Sequence, residues 1–143
     1  MMRWLCVVAI ALACFGCGNS SAPGTDAWLV GKWSLESQDV DDILSVEFWS
    51  NHGARVYERI DPDDGAWQLQ GDLLVMLHIP DSNESTPDLE RVNEALKEYA
   101  SDPSVAKGEE LWKLSDLKRD SFTISVDTGR RTLVIKAKRV KDS

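Results

Sequence analysis

The chain has 143 residues, a formal net charge of −8 and only three cysteines. Net acidity makes nucleic acid and anionic headgroups poor partners for the chain as a whole. Cys6, Cys14 and Cys17 all lie at the N-terminus, so the rest of the chain has no cysteine for a disulfide, a thiolate metal site or a nucleophile.

The first element is a leader. Arg3 gives a positive n-region, Trp4 to Phe15 form an apolar run, and Gly16-Cys17-Gly18-Asn19-Ser20-Ser21 follows. The run is too short to span a bilayer, which needs about 20 apolar residues, so cleavage is expected. The segment resembles the lipobox of bacterial lipoproteins. That resemblance implies removal of residues 1–16 and a thioether-linked diacylglycerol on Cys17. Cys14, after Ala11-Leu12-Ala13, is the rival site. Two or more acyl chains hold a protein stably on a membrane. With Gly18 after Cys17, the resemblance places the protein on the periplasmic face of the outer membrane in a Gram-negative envelope.

Residues 17–25 are rich in Gly, Ser and Asn and read as a flexible tether. Residues 26–143 then form one domain. Period-two alternation runs through Leu29/Gly31/Trp33/Leu35, Leu44/Val46/Phe48, Trp67/Leu69, Phe122/Ile124/Val126 and Leu133/Ile135/Ala137. Leu73 to Ile79 is apolar on both faces. Turn signals separate these runs: Asn51-His52-Gly53, Asp61-Pro62-Asp63-Asp64-Gly65, Gln70-Gly71-Asp72 and Asp127-Thr128-Gly129. The pattern predicts an all-β, antiparallel up-and-down meander of about eight strands, closed into a small barrel or left as a half-barrel. One amphipathic helix is expected near 87–100, from Leu89, Val92, Leu96 and Tyr99, with Thr86 as N-cap and Pro87 as first helical residue. It would cover the outside or the mouth of the barrel.

Charge is uneven along the chain. Asp26 to Asp64 carries ten acidic and three basic residues, whereas Arg130 to Lys141 carries six basic and none acidic. Neighbouring strands of a closed sheet would bring such blocks together as solvated surface.

Gly31-Lys32-Trp33 on the first strand, the Trp67 to Leu73 hairpin, Trp112-x-Leu114 and the final Leu133-x-Ile135-x-Ala137-x-Arg139 together resemble the lipocalin-like superfamily. The resemblance spans nearly all of residues 26–143. It implies that Trp33 plugs one end of the barrel and that Arg139 lies across its ring, both in structural roles. Trp33, Phe48, Trp67 and Phe122 would fill much of a small barrel; a ligand cavity is the alternative, with Trp28, Trp49, Tyr57 and Trp112 as its candidate rim.

Catalytic patterns are missing from the sequence. His52 and His78 have no metal-ligand spacing, Asp61 to Gly65 lacks the downstream glutamate of a calcium loop, and there is no nucleophile elbow or phosphate loop. No cofactor or metal is expected. The sequence therefore points to a non-enzymatic, membrane-anchored envelope lipoprotein that binds a small hydrophobic ligand or serves as a structural and interaction module. The alternative is an inhibitor or immunity-like lipoprotein that blocks an envelope hydrolase through the loop Asp81 to Thr86 or the segment Ser101 to Gly108.

Overall fold

The computed structural model describes residues 26–39 and 43–141. The leader, Cys14, Cys17 and the tether lie outside them. Eight strands follow one another around a closed barrel: β1 (Gly31–Glu36), β2 (Ile43–Phe48), β3 (Gly53–Glu58), β4 (Asp63–Gln70), β5 (Leu73–His78), β6 (Leu111–Ser115), β7 (Ser121–Asp127) and β8 (Thr132–Arg139). Every neighbouring pair is antiparallel, and β8 closes on β1 through Trp33↔Arg139 and Leu35↔Ala137. Closure gives every strand a neighbour on both sides, so no strand is left as a full-length edge. The half-barrel alternative is thereby resolved in favour of the barrel.

Alternating apolar residues turn inward and pack into one core. Trp33, Trp67, Phe48 and Phe122 are its largest fully buried side chains. A single 3-10 turn, Ala27–Leu29, seals the end of the barrel where β1 begins. There Trp33 Nε1 donates to the Leu29 carbonyl at 2.8 Å. Trp28 packs edge-on against both Trp33 and Phe122, with ring centroids 6.3 and 5.6 Å away.

One inward alternation fails. The register of β2 on β3 slips between Ile43 and Ser45, so Ile43 packs against the core and Leu44 stays 52 % exposed. A bulge inserts one residue and reverses the facing of what lies beyond it, which is why Leu44 does not share the face of Val46 and Phe48.

The helix, α1 (Leu89–Ser101), lies on the outside of the barrel. Val92 and Tyr99 pack on the outward residues Ala66, Val75, Leu77 and Ile79, and Leu96 is half-buried beside them. This covers the second apolar face of β5. The N-cap is Asp88, whose carboxylate accepts from Glu90 N–H at 3.0 Å, and not Thr86. Aspartate caps better than threonine and adds negative charge at the positive end of the helix. Pro87 precedes the helix and is buried over Gly53. Among the described residues no helix is long and apolar enough to cross a membrane.

Gly31 is required where β1 leaves the 3-10 turn. Its φ is +128°, and a Cβ there would sit 3.0 Å from Arg139 Nη1. A side chain would pay both a backbone penalty and displacement of Arg139. Gly31→Ala should destabilise the domain by about 1–3 kcal/mol, measured as a lowered urea midpoint with unchanged slope.

Candidate functional site

Two built regions stand out: the plugged end and the opposite, open end. At the plugged end Arg139 extends from β8 so that its guanidinium lies 4.3 Å from the Trp33 ring centroid. Nη1 donates to the Val30 carbonyl at 3.1 Å, and Nη2 donates to the Trp28 carbonyl. Nε faces Asp120 at 3.6 Å. Arg139 thus combines cation–π attraction with hydrogen bonds to the strand's entry. All of these contacts hold the chain together at the point where it enters the barrel.

At the open end β6 pairs with β5 only as far as Val75↔Leu111, leaving Met76 to His78 without a strand partner on that side. The gap opens a pocket of about 340 Å³. Its floor is apolar, formed by the inward side chains of Val56, Met76 and Trp112. Its rim is polar and carries Asp63, His78, Lys107, Glu109 and Glu110. Trp112 is fixed by its Nε1 donating to the Glu109 carbonyl at 3.1 Å. The Glu110 carboxylate accepts from His78 N–H at 2.7 Å and from Lys107 N–H at 3.0 Å, which ties the segment before β6 to the mouth. Gly65 lets β4 and β5 meet here, since a Cβ would lie 3.0 Å from the Leu77 carbonyl.

Of the four rim aromatics expected from sequence, this pocket contains Trp112 alone. Trp28 lies at the plugged end. Trp49 is in the β2–β3 hairpin, on that same end, where its carbonyl accepts from Trp67 Nε1 at 3.0 Å. Tyr57 is on the outer face, donating to Glu47 at 3.2 Å with Lys32 4.6 Å above its ring. Burial and the Glu47 carboxylate push the Tyr57 hydroxyl pKa up. His78 is the one histidine at this mouth. It shares the face of Leu74 and Met76, which is the barrel interior, and stands at the pocket mouth because β5 ends there.

A third region was not foreseen. Arg55 and Asp64, on the outer faces of β3 and β4, form a buried bidentate pair, Nε–Oδ1 2.6 Å and Nη2–Oδ2 3.2 Å. Their side chains are 9 % and 1 % exposed. The hydrogen bond that Arg55 donates to the Asp64 carboxylate raises the Arg55 pKa above its ordinary value. Arg55 also donates to the carbonyls of Ser85 and Glu84, both at 3.1 Å. Asp64 accepts from Ser82 N–H at 2.8 Å, and its own N–H donates to Asp81 at 3.0 Å. The pair clamps the loop before α1 onto the barrel. Asp64 is therefore a strand residue, not part of the turn that Asp61 to Gly65 suggests.

The sequence matches no protein-family model and no curated protein.

Proposed function

We propose that the chain is a non-enzymatic envelope lipoprotein, anchored through an acylated Cys17, that holds a small, mainly apolar ligand in the open end of its barrel. The pocket of about 340 Å³ over Val56, Met76 and Trp112 carries this reading. Its volume is at the small end of the range for ligand sites, about 300–1,000 Å³, and its apolar floor with a few polar rim groups is the usual make-up of such sites. An apolar body would displace water from the floor while a polar head met Lys107 or His78.

Titration with an anionic hydrophobic fluorophore tests the reading. Saturable binding with a change in tryptophan emission is expected, and Met76→Trp, which fills the floor, should weaken it at least about tenfold. No saturable signal, or equal affinity in the filled variant, would sink the proposal. The anchor has its own test, mass spectrometry of the mature N-terminal peptide: a diacylglycerol-modified Cys17 is expected, and a modified Cys14 or an unmodified terminus would overturn it.

The Arg55 clamp favours a second reading. It fixes the loop from Asp81 to Ser85 while Asn83, Glu84 and Thr86 stay exposed. A preordered exposed loop loses little entropy on docking, as an inhibitor's presenting loop should. Recovery of a stoichiometric envelope hydrolase that is lost in Asn83→Ala/Glu84→Ala would support it; equal recovery with that variant would refute it.

A further inference from the structure

Apart from the acidic block of Asp26 to Asp64, whose first strand pairs with β8, the loop before α1 and α1 itself carry a second acidic surface, set across the barrel from the basic β8. α1 covers β4 and β5, which are four and three strands from β8 in a closed ring of eight, so β8 lies across the barrel from α1 while β6 borders the covered sheet. The α1 side is acidic: Asp81, Glu84, Asp88, Glu90, Glu94 and Glu98 are all exposed there, against Arg91 and Lys97. The β6 to β8 side is basic. Lys113, Lys136 and Lys138 occupy outward positions and are exposed, separated by Ser121, Thr123 and Ser125 of β7.

Register brings these lysines close together. Lys113 pairs with Ser125, Thr123 with Lys136, and Ser121 with Lys138. At about 4.8 Å between strands, the three ammonium groups share one flank with a row of hydroxyls between them. Toward the plugged end Lys118, Arg119 and Lys141 extend the charge. Leu117 and Val140, 54 % and 41 % exposed, stand among those cations. Acids border the flank without entering the lysine row: Glu36 of β1 is the cross-strand partner of Lys136, Asp72 precedes the β5 partner of Lys113, Asp127 lies at the open end, Asp116 is in the β6–β7 loop, and Asp120 is engaged with Arg139.

We infer that this flank seats the barrel on an anionic lipid surface, with the acidic α1 side turned away. Ammonium and hydroxyl donors suit phosphate oxygens, while Leu117 and Val140 suit the headgroup boundary. Net acidity of the whole chain does not oppose this, because a charged surface acts within a Debye length, about 8 Å at physiological salt, and meets only the flank facing it. The chain also enters the barrel beneath Arg139, at the end where the cations and exposed apolar residues gather. The inference rests on the anchor reading for its setting, since a short tether supplies the high effective concentration that a few lysines need.

The chain from Cys17 onward contains a single cysteine, so it can be coupled to a maleimide lipid in vesicles. Lysine acetylation is then read by mass spectrometry on phosphatidylcholine vesicles with and without phosphatidylglycerol. Lys113, Lys136 and Lys138 should label more slowly on anionic vesicles, with Lys97 unchanged and the protection lost in high salt. Each lysine at the surface favours the seated state about fivefold, so Lys136→Glu/Lys138→Glu should abolish protection of Lys113. Equal labelling on both vesicles, protection of Lys97 instead, or protection by short duplex DNA but not by vesicles would overturn the inference. Because the tether is synthetic, the result is independent of whether Cys17 is acylated in the cell.

Discussion

Trp33→Ala should cost the domain about 3–5 kcal/mol, the range for truncating a large buried aromatic. Natural domains have only about 5–15 kcal/mol to lose, so the variant should melt more than about 10 °C below the parent. Three attachments go at once: the full burial of the ring, the 2.8 Å bond from Nε1 to Leu29, and the platform under Arg139. The last is worth about 0.5–1 kcal/mol or somewhat more when desolvated, and it does not simply add to the others because the groups touch. Trp33→Phe keeps most of the packing and loses the indole donor, so it should fall between. Arg139→Met keeps an apolar stem on the ring but leaves the Trp28 and Val30 carbonyls without their donor; about 1–3 kcal/mol is expected for it. Thermal and urea unfolding of the three variants would order them. A Trp33→Ala domain within about 1 kcal/mol of the parent would mean that the plugged end contributes little to closure.

The plugged end is also where the sequence is most legible, and the reason is local. Gly31, Trp33 and Leu35 repeat every second residue, and Arg139 is in phase with Leu133, Ile135 and Ala137, so alternation alone aims them inward. The mouth was harder. In an up-and-down meander successive loops alternate between ends, so Trp49, one hairpin after the strand that starts beside Trp28, returns to the plugged end. That could have been counted from the strand order. Tyr57 was legible too, since Ala54 and Val56 claim the inner face of β3 and leave Tyr57 outside. The bulge at Leu44 carries no such signal, because an inserted residue preserves composition while reversing the facing. Asp64 was hidden for another reason. Its neighbours Asp61, Pro62, Asp63 and Gly65 read as a turn, and its partner Arg55 lies nine residues away across a hairpin, a distance that only register reveals.

Asp64→Ala should therefore be nearly as damaging as the loss of the plug, although the residue reads as surface. Removing one partner of a buried pair leaves an uncompensated charge and typically costs about 3–5 kcal/mol. Here the stranded group is the Arg55 guanidinium, still bonded to Glu84 and Ser85 but without its carboxylate. Asp64→Asn retains an acceptor for one of the two Arg55 bonds and should cost less. The double variant Arg55→Met/Asp64→Leu separates charge stranding from loss of the pair itself. Apolar replacement of a buried ion pair is often close to neutral, so the double variant should be more stable than Asp64→Ala despite carrying two changes. What it cannot restore is the clamp on the loop: Ser82 loses its acceptor and the Glu84 and Ser85 carbonyls lose their donor. Amide exchange at Ser82 should accordingly rise in both variants while global stability differs between them. If the double variant were as unstable as Asp64→Ala, the pair would be holding the barrel rather than the loop, and the preordered loop would lose its physical basis.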